Sequence, residues 1–228
     1  MQRERTVIAV QPGLSPMQRY YASRAREYDR IYEKPERQAD LRQIESWLPS
    51  LFLSATVLEV ACGTGYWTQF IAPATTSMVA IDSAPETLRV AEQRVLASNV
   101  EFRLGDAYDL SGMGRTFSAA FAGFWFSHVP LERQREFLLG LNSTLEPGAR
   151  VVLLDNRYVE GNSSPIAERD TAGNAFQHRS LSDGSTHRVL KNFPTEAELH
   201  ALVDDLGVSA SYRSWQYYWA FEYRVSVP

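Results

Sequence analysis

From Thr56 onward, short apolar runs alternate with stretches in which apolar residues recur every three or four positions. The runs Thr56–Ala61, Met78–Asp82, Val100–Leu104, Phe117–Phe124 and Arg150–Leu154 read as buried strands. Between the second and third, Leu88, Ala91 and Val95 give a helix one apolar face. Ser83-Ala84-Pro85-Glu86 before it matches a capping box with Ser83 as the cap. Pro130–Leu145 reads as a helix closed by Pro147-Gly148, and the fifth strand ends at Asp155. Such alternation implies a parallel sheet covered by helices on both faces. In those sheets a ligand lies beyond the carboxyl ends of the strands. Gly63, Gly65, Asp82, Asp106, His128 and Asp155 all fall there.

The flanks follow other patterns. Ser15-Pro16 suits a helix start, and Tyr21, Ala25, Tyr28 and Tyr32 keep helical spacing, so a helix is expected over 16–33. Lys34-Pro35 breaks it, and a second helix spans about 36–47. After Asp155 the alternation stops. Residues 156–193 are polar and suit a hairpin with arms near 175–181 and 186–192. A helix over 195–206, with Thr195 near its cap, and strands at about 208–214 and 217–227 complete the chain.

Composition narrows the function classes. A chain of 228 residues, 44% hydrophobic and 22% charged, supports a sizeable core in one domain. Its net charge of −4 argues against a whole-surface grip on nucleic acid. No apolar run reaches the length of a membrane span, and MQRERTVIAVQPG resembles no signal peptide. The sole cysteine, Cys62, has no internal disulfide partner, so a reducing cytoplasm is expected, with the protein a monomer or homodimer.

The first strand carries the most specific chemistry, "VLEVACGTGYWT". Glu59 interrupts an apolar strand, and Gly63 and Gly65 permit a loop that a ligand approaches closely. A dinucleotide motif needs a third small residue, where this chain has Thr68. Glu-x-Ala-Cys-Gly-x-Gly instead resembles motif I of the class I S-adenosylmethionine-dependent methyltransferases. "LGDAYDL" resembles that family's loop after strand three, and "LEPGARVVLLD" its turn into strand five. "RYYASRAREYDRIY" resembles the helix covering the cofactor in small bacterial members. The resemblance implies an α/β, Rossmann-like, seven-stranded, mostly parallel sheet with helices on both faces and an antiparallel last strand. It implies S-adenosyl-L-methionine as cofactor, packed on Glu59, Ala61, Gly63 and Gly65 and covered by Tyr20 and Tyr28. Asp82, with Ser83, would bond the ribose hydroxyls, Asp106 and the Ala107 backbone the adenine, and Phe124 would line the site. Ala61 departs from the glycine common at its position, but alanine is small.

The acceptor side is less specific. Strand four runs into "GFWFSHVP" without an Asn-Pro-Pro-Tyr or Asp-Pro-Pro-Tyr sequence, and Cys62 lies in the wrong loop for cytosine C5 chemistry. His128 stands where donor meets acceptor in many members, and two roles fit it: general base, or cap of the following helix. Trp125 and Phe126 either wall the site or belong to the core. Residues 156–193 either roof the acceptor, facing Tyr21 of the N-terminal helix, or form a solvated hairpin or subunit contact. In the first case Arg157, Tyr158, Arg179 and Lys191 contact the acceptor, and their charges suit an anionic or carbonyl-rich molecule. The expected function is methylation of a small-molecule oxygen or nitrogen, with no nucleic-acid or membrane partner. Rivals are a nucleotide-dependent oxidoreductase, a non-catalytic cofactor-binding regulator, and a methyltransferase of protein or RNA.

Overall fold

The computed structural model describes residues 28–180 and 184–227. Tyr20, Tyr21 and residues 16–27 of the expected first helix lie outside the described residues. The end of that helix, Tyr28–Tyr32, is a short 3-10 turn. A second 3-10 turn, Pro35–Arg37, leads into α1, Gln38–Trp47. The main sheet then begins with β1 (Thr56–Val60), followed by α2 (Thr68–Ile71), β2 (Ser77–Asp82) and α3 (Pro85–Arg94). β3 (Val100–Leu104), β4 (Phe117–Gly123), α4 (Gln134–Asn142) and β5 (Leu145–Asn156) continue the alternation.

An insertion follows, built on β6 (Glu168–Arg169), β7 (Ala175–Ser180) and β8 (Thr186–Leu190). α5 (Glu196–Val203), β9 (Gly207–Ser214) and β10 (Tyr218–Val225) complete the described chain. The main sheet has seven strands in the order β3-β2-β1-β4-β5-β10-β9. β1 to β5 pair in parallel, and β10 is antiparallel to both β5 and β9. The order reverses direction between β1 and β4, so the cleft beyond their carboxyl ends is the topological switch point where such sheets bind ligands.

Period-two alternation distributes the strands between two cores. Val151 and Leu153 of β5 join Phe137 of α4 and Leu199 of α5 on one face. Val152 and Leu154 join Leu41 and Ile44 of α1 on the other. Asp155 continues the register of Val151 and Leu153, which sets its carboxylate on the α4 side.

Several boundaries differ from the sequence pattern. Pro147-Gly148 lies inside β5 rather than between helix and strand: β5 pairs with β4 from Leu145, and the ladder is irregular between Phe117 and Ala119. Residues 131–133 form a 3-10 turn before α4, and α4 stops at Asn142. Ser83 does not cap α3. Ala84 takes the N-cap position without a side-chain bond, and the Asp82 carboxylate accepts from its N–H at 2.9 Å. Thr195, by contrast, caps α5 in a full capping box with Glu198.

β6, β7 and β8 form a separate antiparallel sheet. Asn174 and Asn192 fasten it to the segment after β4. Asn192 N–H donates to Ser127 O at 2.8 Å, and its amide to Val129 O at 3.2 Å. Leu131 N–H donates to Asn174 Oδ1 at 2.8 Å. The insertion is therefore docked over the carboxyl ends of β4 and β5, not held out in solvent.

Candidate functional site

The first half of the site lies at the ends of β1, β2 and β3. The backbone turns left-handed at Ala61 (φ 55°), Gly63 (56°) and Gly65 (73°). A Cβ on Gly65 would stand 3.0 Å from the Ala91 Cβ on α3, so close packing as well as backbone shape requires glycine there. Ala61 has the small side chain that the resemblance allows, but it occupies a conformation that disfavours any Cβ.

Asp82 ties this loop to α3. Its Oδ2 accepts from Gly63 N–H at 2.8 Å, and Oδ1 from Ala84 N–H and Thr87 Oγ1 at 2.9 and 3.0 Å. Burial raises the carboxyl pKa, and these donors oppose the rise. The Ser83 backbone N–H also donates to this carboxylate, so the chain already uses most of the roughly four lone-pair directions a carboxylate has. Engaging both ribose hydroxyls needs chain donors to yield. Ser83 adds no side-chain contact.

Glu59 is buried and accepts from Thr68 Oγ1 at 2.6 Å. Burial, with Asp82 nearby, pushes its carboxyl up to about 8. Asp106 is exposed; its Oδ1 accepts from Tyr108 N–H at 3.0 Å, leaving Oδ2 clear of that turn. Ala107 is buried beside it. Cys62 is a free, buried thiol whose pKa burial raises, which makes it unreactive.

The N-terminal segment reaches this loop through contacts that sequence patterns did not signal. Thr64 Oγ1 donates to Asp29 Oδ1 at 2.7 Å, and Arg94 on α3 joins both residues. Tyr28 begins the same turn. Tyr32 stacks on Tyr66 with centroids 3.5 Å apart, and on Phe124 at 5.5 Å. Phe124 also stacks on Tyr218 at 5.7 Å, despite a left-handed φ of 59°. Such strain in a bulky residue persists only where surroundings fix it. Here the two rings and the bond from Phe124 N–H to Leu154 O at 2.7 Å do so.

The second half of the site lies at the ends of β4 and β5. Asp155 (0% exposed) and Lys191 (3%) form an ion pair of 2.6 Å. Lys191 Nζ also donates to Ser127 Oγ at 2.5 Å, and Ser127 N–H to Asp155 Oδ2 at 3.1 Å. Burial lowers the Lys191 ammonium to about 8, with Asp155 opposing. Burial alone would raise the Asp155 carboxyl, but Lys191 and its hydrogen bonds hold it below the usual carboxylate range. The pair is therefore ionised at neutral pH. This corrects the expectation that Lys191 offers its charge to an acceptor: that charge is matched by Asp155.

His128 adjoins this pair. It does not cap the helix that follows; its Nδ1 lies 2.6 Å from Leu190 O of β8. A carbonyl only accepts, so Nδ1 carries the proton and Nε2 the lone pair. Burial, then the charges of Lys191 and Arg179, push the imidazole well below its usual range, so it is neutral. Trp125 is half-buried, edge-on to Tyr108 at 5.9 Å, while Phe126 is plain core.

The other expected acceptor contacts separate. The Arg157 guanidinium donates to Trp215 O at 2.6 Å, and Tyr158 meets Phe193 edge-on at 5.3 Å, so neither joins His128 in these contacts. Arg179 remains near His128 and Lys191, whose proton affinities it lowers. Ser127, Asp155, Asn174 and Asn192 complete this half. The place of Asp155 at a strand end was visible in sequence; the partners that dock the others, 43 to 64 residues away, had no local signal. Among the described residues no group of His, Cys, Asp and Glu can hold a metal ion, and no helix is long and apolar enough to cross a membrane.

Residues 57–148 match the family described as "Methyltransferase domain". The demethylmenaquinone methyltransferase of Lactiplantibacillus plantarum is 33% identical over 109 residues, 45% of each chain. That of Bacillus licheniformis is 33% identical over 113 residues, 46% of this chain and 47% of the relative. The chain thus spans about half the length of the curated relatives it matches. The solved DhpI-SAM-HEP complex is similar over 95% of this chain and 100% of that one, with a TM-score of 0.77 and 28% identity. The N-methyltransferase NodS of Bradyrhizobium japonicum WM9, bound to S-adenosyl-L-homocysteine, shares the fold at a TM-score of 0.65 and 17% identity, over 92% of this chain and 99% of that one. The left-handed loop cradle, the acid closing β2 and the exposed acid after β3 fit the cofactor these proteins use. With that fit, the sheet order and the matches, residues 57–148 form a methyltransferase domain, and the chain shares the class I, Rossmann-like fold of proteins solved with S-adenosyl-L-methionine or its product.

Proposed function

We propose that the protein methylates an oxygen or nitrogen of a small molecule, with His128 as general base. The observation that carries this reading is the neutral His128 ring at the carboxyl end of β4, held by Leu190 O beneath a docked insertion. The relatives support the reaction class: two are named demethylmenaquinone methyltransferases, and a structural neighbour is an N-methyltransferase.

Gly63, Gly65, Asp82, Asp106 and Ala107 would hold the cofactor, with Glu59 beneath the loop and Phe124 at its edge. Bound there, the cofactor supplies an electrophilic sulfonium methyl. The chain then has two tasks. It must align an acceptor for in-line attack, which the walls formed by the N-terminal cover and the insertion favour. It must also take the acceptor's proton, for which Nε2 of a neutral imidazole is suited. A docked insertion beside His128 favours a compact acceptor over a folded protein or RNA.

The test combines calorimetry with S-adenosylhomocysteine and NADH and a methyl-transfer screen against a metabolite library. Binding of S-adenosylhomocysteine, and methylation of a small molecule that His128→Ala slows, is expected. Tight NADH binding without S-adenosylhomocysteine binding would overturn the cofactor assignment. Cofactor binding with turnover only on protein or RNA would overturn the acceptor reading.

A further inference from the structure

The β7–β8 ladder pairs Gln177 with Val189 and Arg179 with His187. Period two therefore places Gln177, Arg179, Val189 and Lys191 on one face of the insertion. It is the inner face: Gln177, Val189 and Lys191 are all buried, and Lys191 reaches the pair with Asp155.

Among the described residues, the ion pairs on this face leave one cation over. Asp155 matches Lys191, while Arg179 is a second, half-buried cation. Its Nε and Nη2 both donate to Gln177 Oε1, at 3.2 and 2.8 Å. Gln177 is fixed in turn by donating to Ser164 O at 2.6 Å. A neutral, buried amide thus orients the guanidinium, and among the described residues Arg179 forms no ion pair. Arg188 on the opposite face of the same hairpin differs: it is paired with Glu168 and lies over the Phe176 ring. A guanidinium positioned by a neutral anchor, with a fork edge to spare, suits a planar or tetrahedral oxyanion. Arg179 shares this face with Lys191, whose Nζ reaches Ser127, the residue before His128, and its charge acts on both His128 and Lys191.

We infer that the inner face of the insertion recognises an oxyanion of the acceptor, with Arg179 gripping a carboxylate or phospho group while the acceptor's nucleophilic atom faces His128. The inference rests on the methyltransferase reading and narrows its substrate class to anionic small molecules. Lys191 takes no direct part; it positions Ser127 and Asp155.

The experiment uses the full chain loaded with S-adenosylhomocysteine, titrated at constant ionic strength with inorganic phosphate and, separately, acetate, while NMR follows the His128 ring signals. At least one anion is expected to give a saturable shift. Arg179→Gln should weaken that binding about tenfold, the loss typical of one charge-assisted contact. Arg179→Lys, which keeps the charge but loses the fork, should fall between, and Arg188→Gln should match the wild type. A response to phosphate alone assigns a phospho group, and to acetate alone a carboxylate; each supports the inference. No saturable response to either anion, or equal binding by wild type and Arg179→Gln, overturns it and leaves the methyltransferase reading standing. Failure to bind S-adenosylhomocysteine at all overturns both.

Discussion

The two halves of the site are built differently. At the ends of β1 to β3, the main parts are backbone: left-handed residues, N–H groups and one carboxylate that gathers them. At the ends of β4 and β5, the parts are buried side chains, an ion pair and a neutral imidazole among them, drawn from the strand ends and the insertion. On the proposed reading, the first half holds a cofactor shared across a family, for which a fixed backbone shape suffices. The second must suit a particular acceptor, and side chains on an inserted hairpin can change without disturbing the sheet. On that reading, family identity resides in the first half and specificity in the second.

That division can be broken by substitution. The largest effect is expected at His128. His128→Ala should lower turnover by roughly 10²–10⁴ while calorimetry shows cofactor affinity nearly unchanged. The depressed imidazole pKa means the base form persists below the usual imidazole range, so the acid limb of the wild-type pH–rate profile should lie there. Lys191→Met comes next. It leaves Asp155 buried without its cation, and breaking such a pair costs about 3–5 kcal/mol, readable by urea denaturation. Combining it with Asp155→Asn should recover most of the loss. In the single variant, if it folds, loss of a neighbouring positive charge should move the acid limb upward.

On the cofactor side, Asp82→Ala removes the acceptor for Gly63, Ala84 and Thr87, and should weaken S-adenosylhomocysteine binding about tenfold or more. Turnover at saturating cofactor should fall much less; an equal fall would blur the division. The smallest effect is expected from Ala61→Gly. Relief of left-handed strain, about 1–2 kcal/mol, is offset by the greater freedom of glycine in the unfolded chain, about 0.4–1 kcal/mol. Thermal melting should show a gain between zero and about 1.6 kcal/mol by this balance.

Legibility in the sequence follows the same division. Gly63 and Gly65 two residues apart, an acid at the end of β2 and another after β3 are local marks, and each lies where the pattern placed it. The sheet was legible because buried strands and amphipathic helices carry distinct periods. Lys191 was misread because its partner, Asp155, is 36 residues away, and no local pattern reports that a lysine is buried. Ser83 was misread because Asp82 is just as good a capping side chain and stood one residue nearer the sheet, where it also reaches Gly63. Pro147-Gly148 looked like a boundary because proline and glycine usually end elements, yet β5 carries them at an irregular point of its ladder.

The junction of Asp29, Thr64 and Arg94 bears on the timing of catalysis. One end belongs to the 3-10 turn before α1 and the other to the loop proposed to hold the cofactor. Neither can move far while the junction holds, so turn and loop open as one cooperative unit rather than independently. On the proposed cofactor reading, release of the spent cofactor breaks the same three-residue junction as its entry.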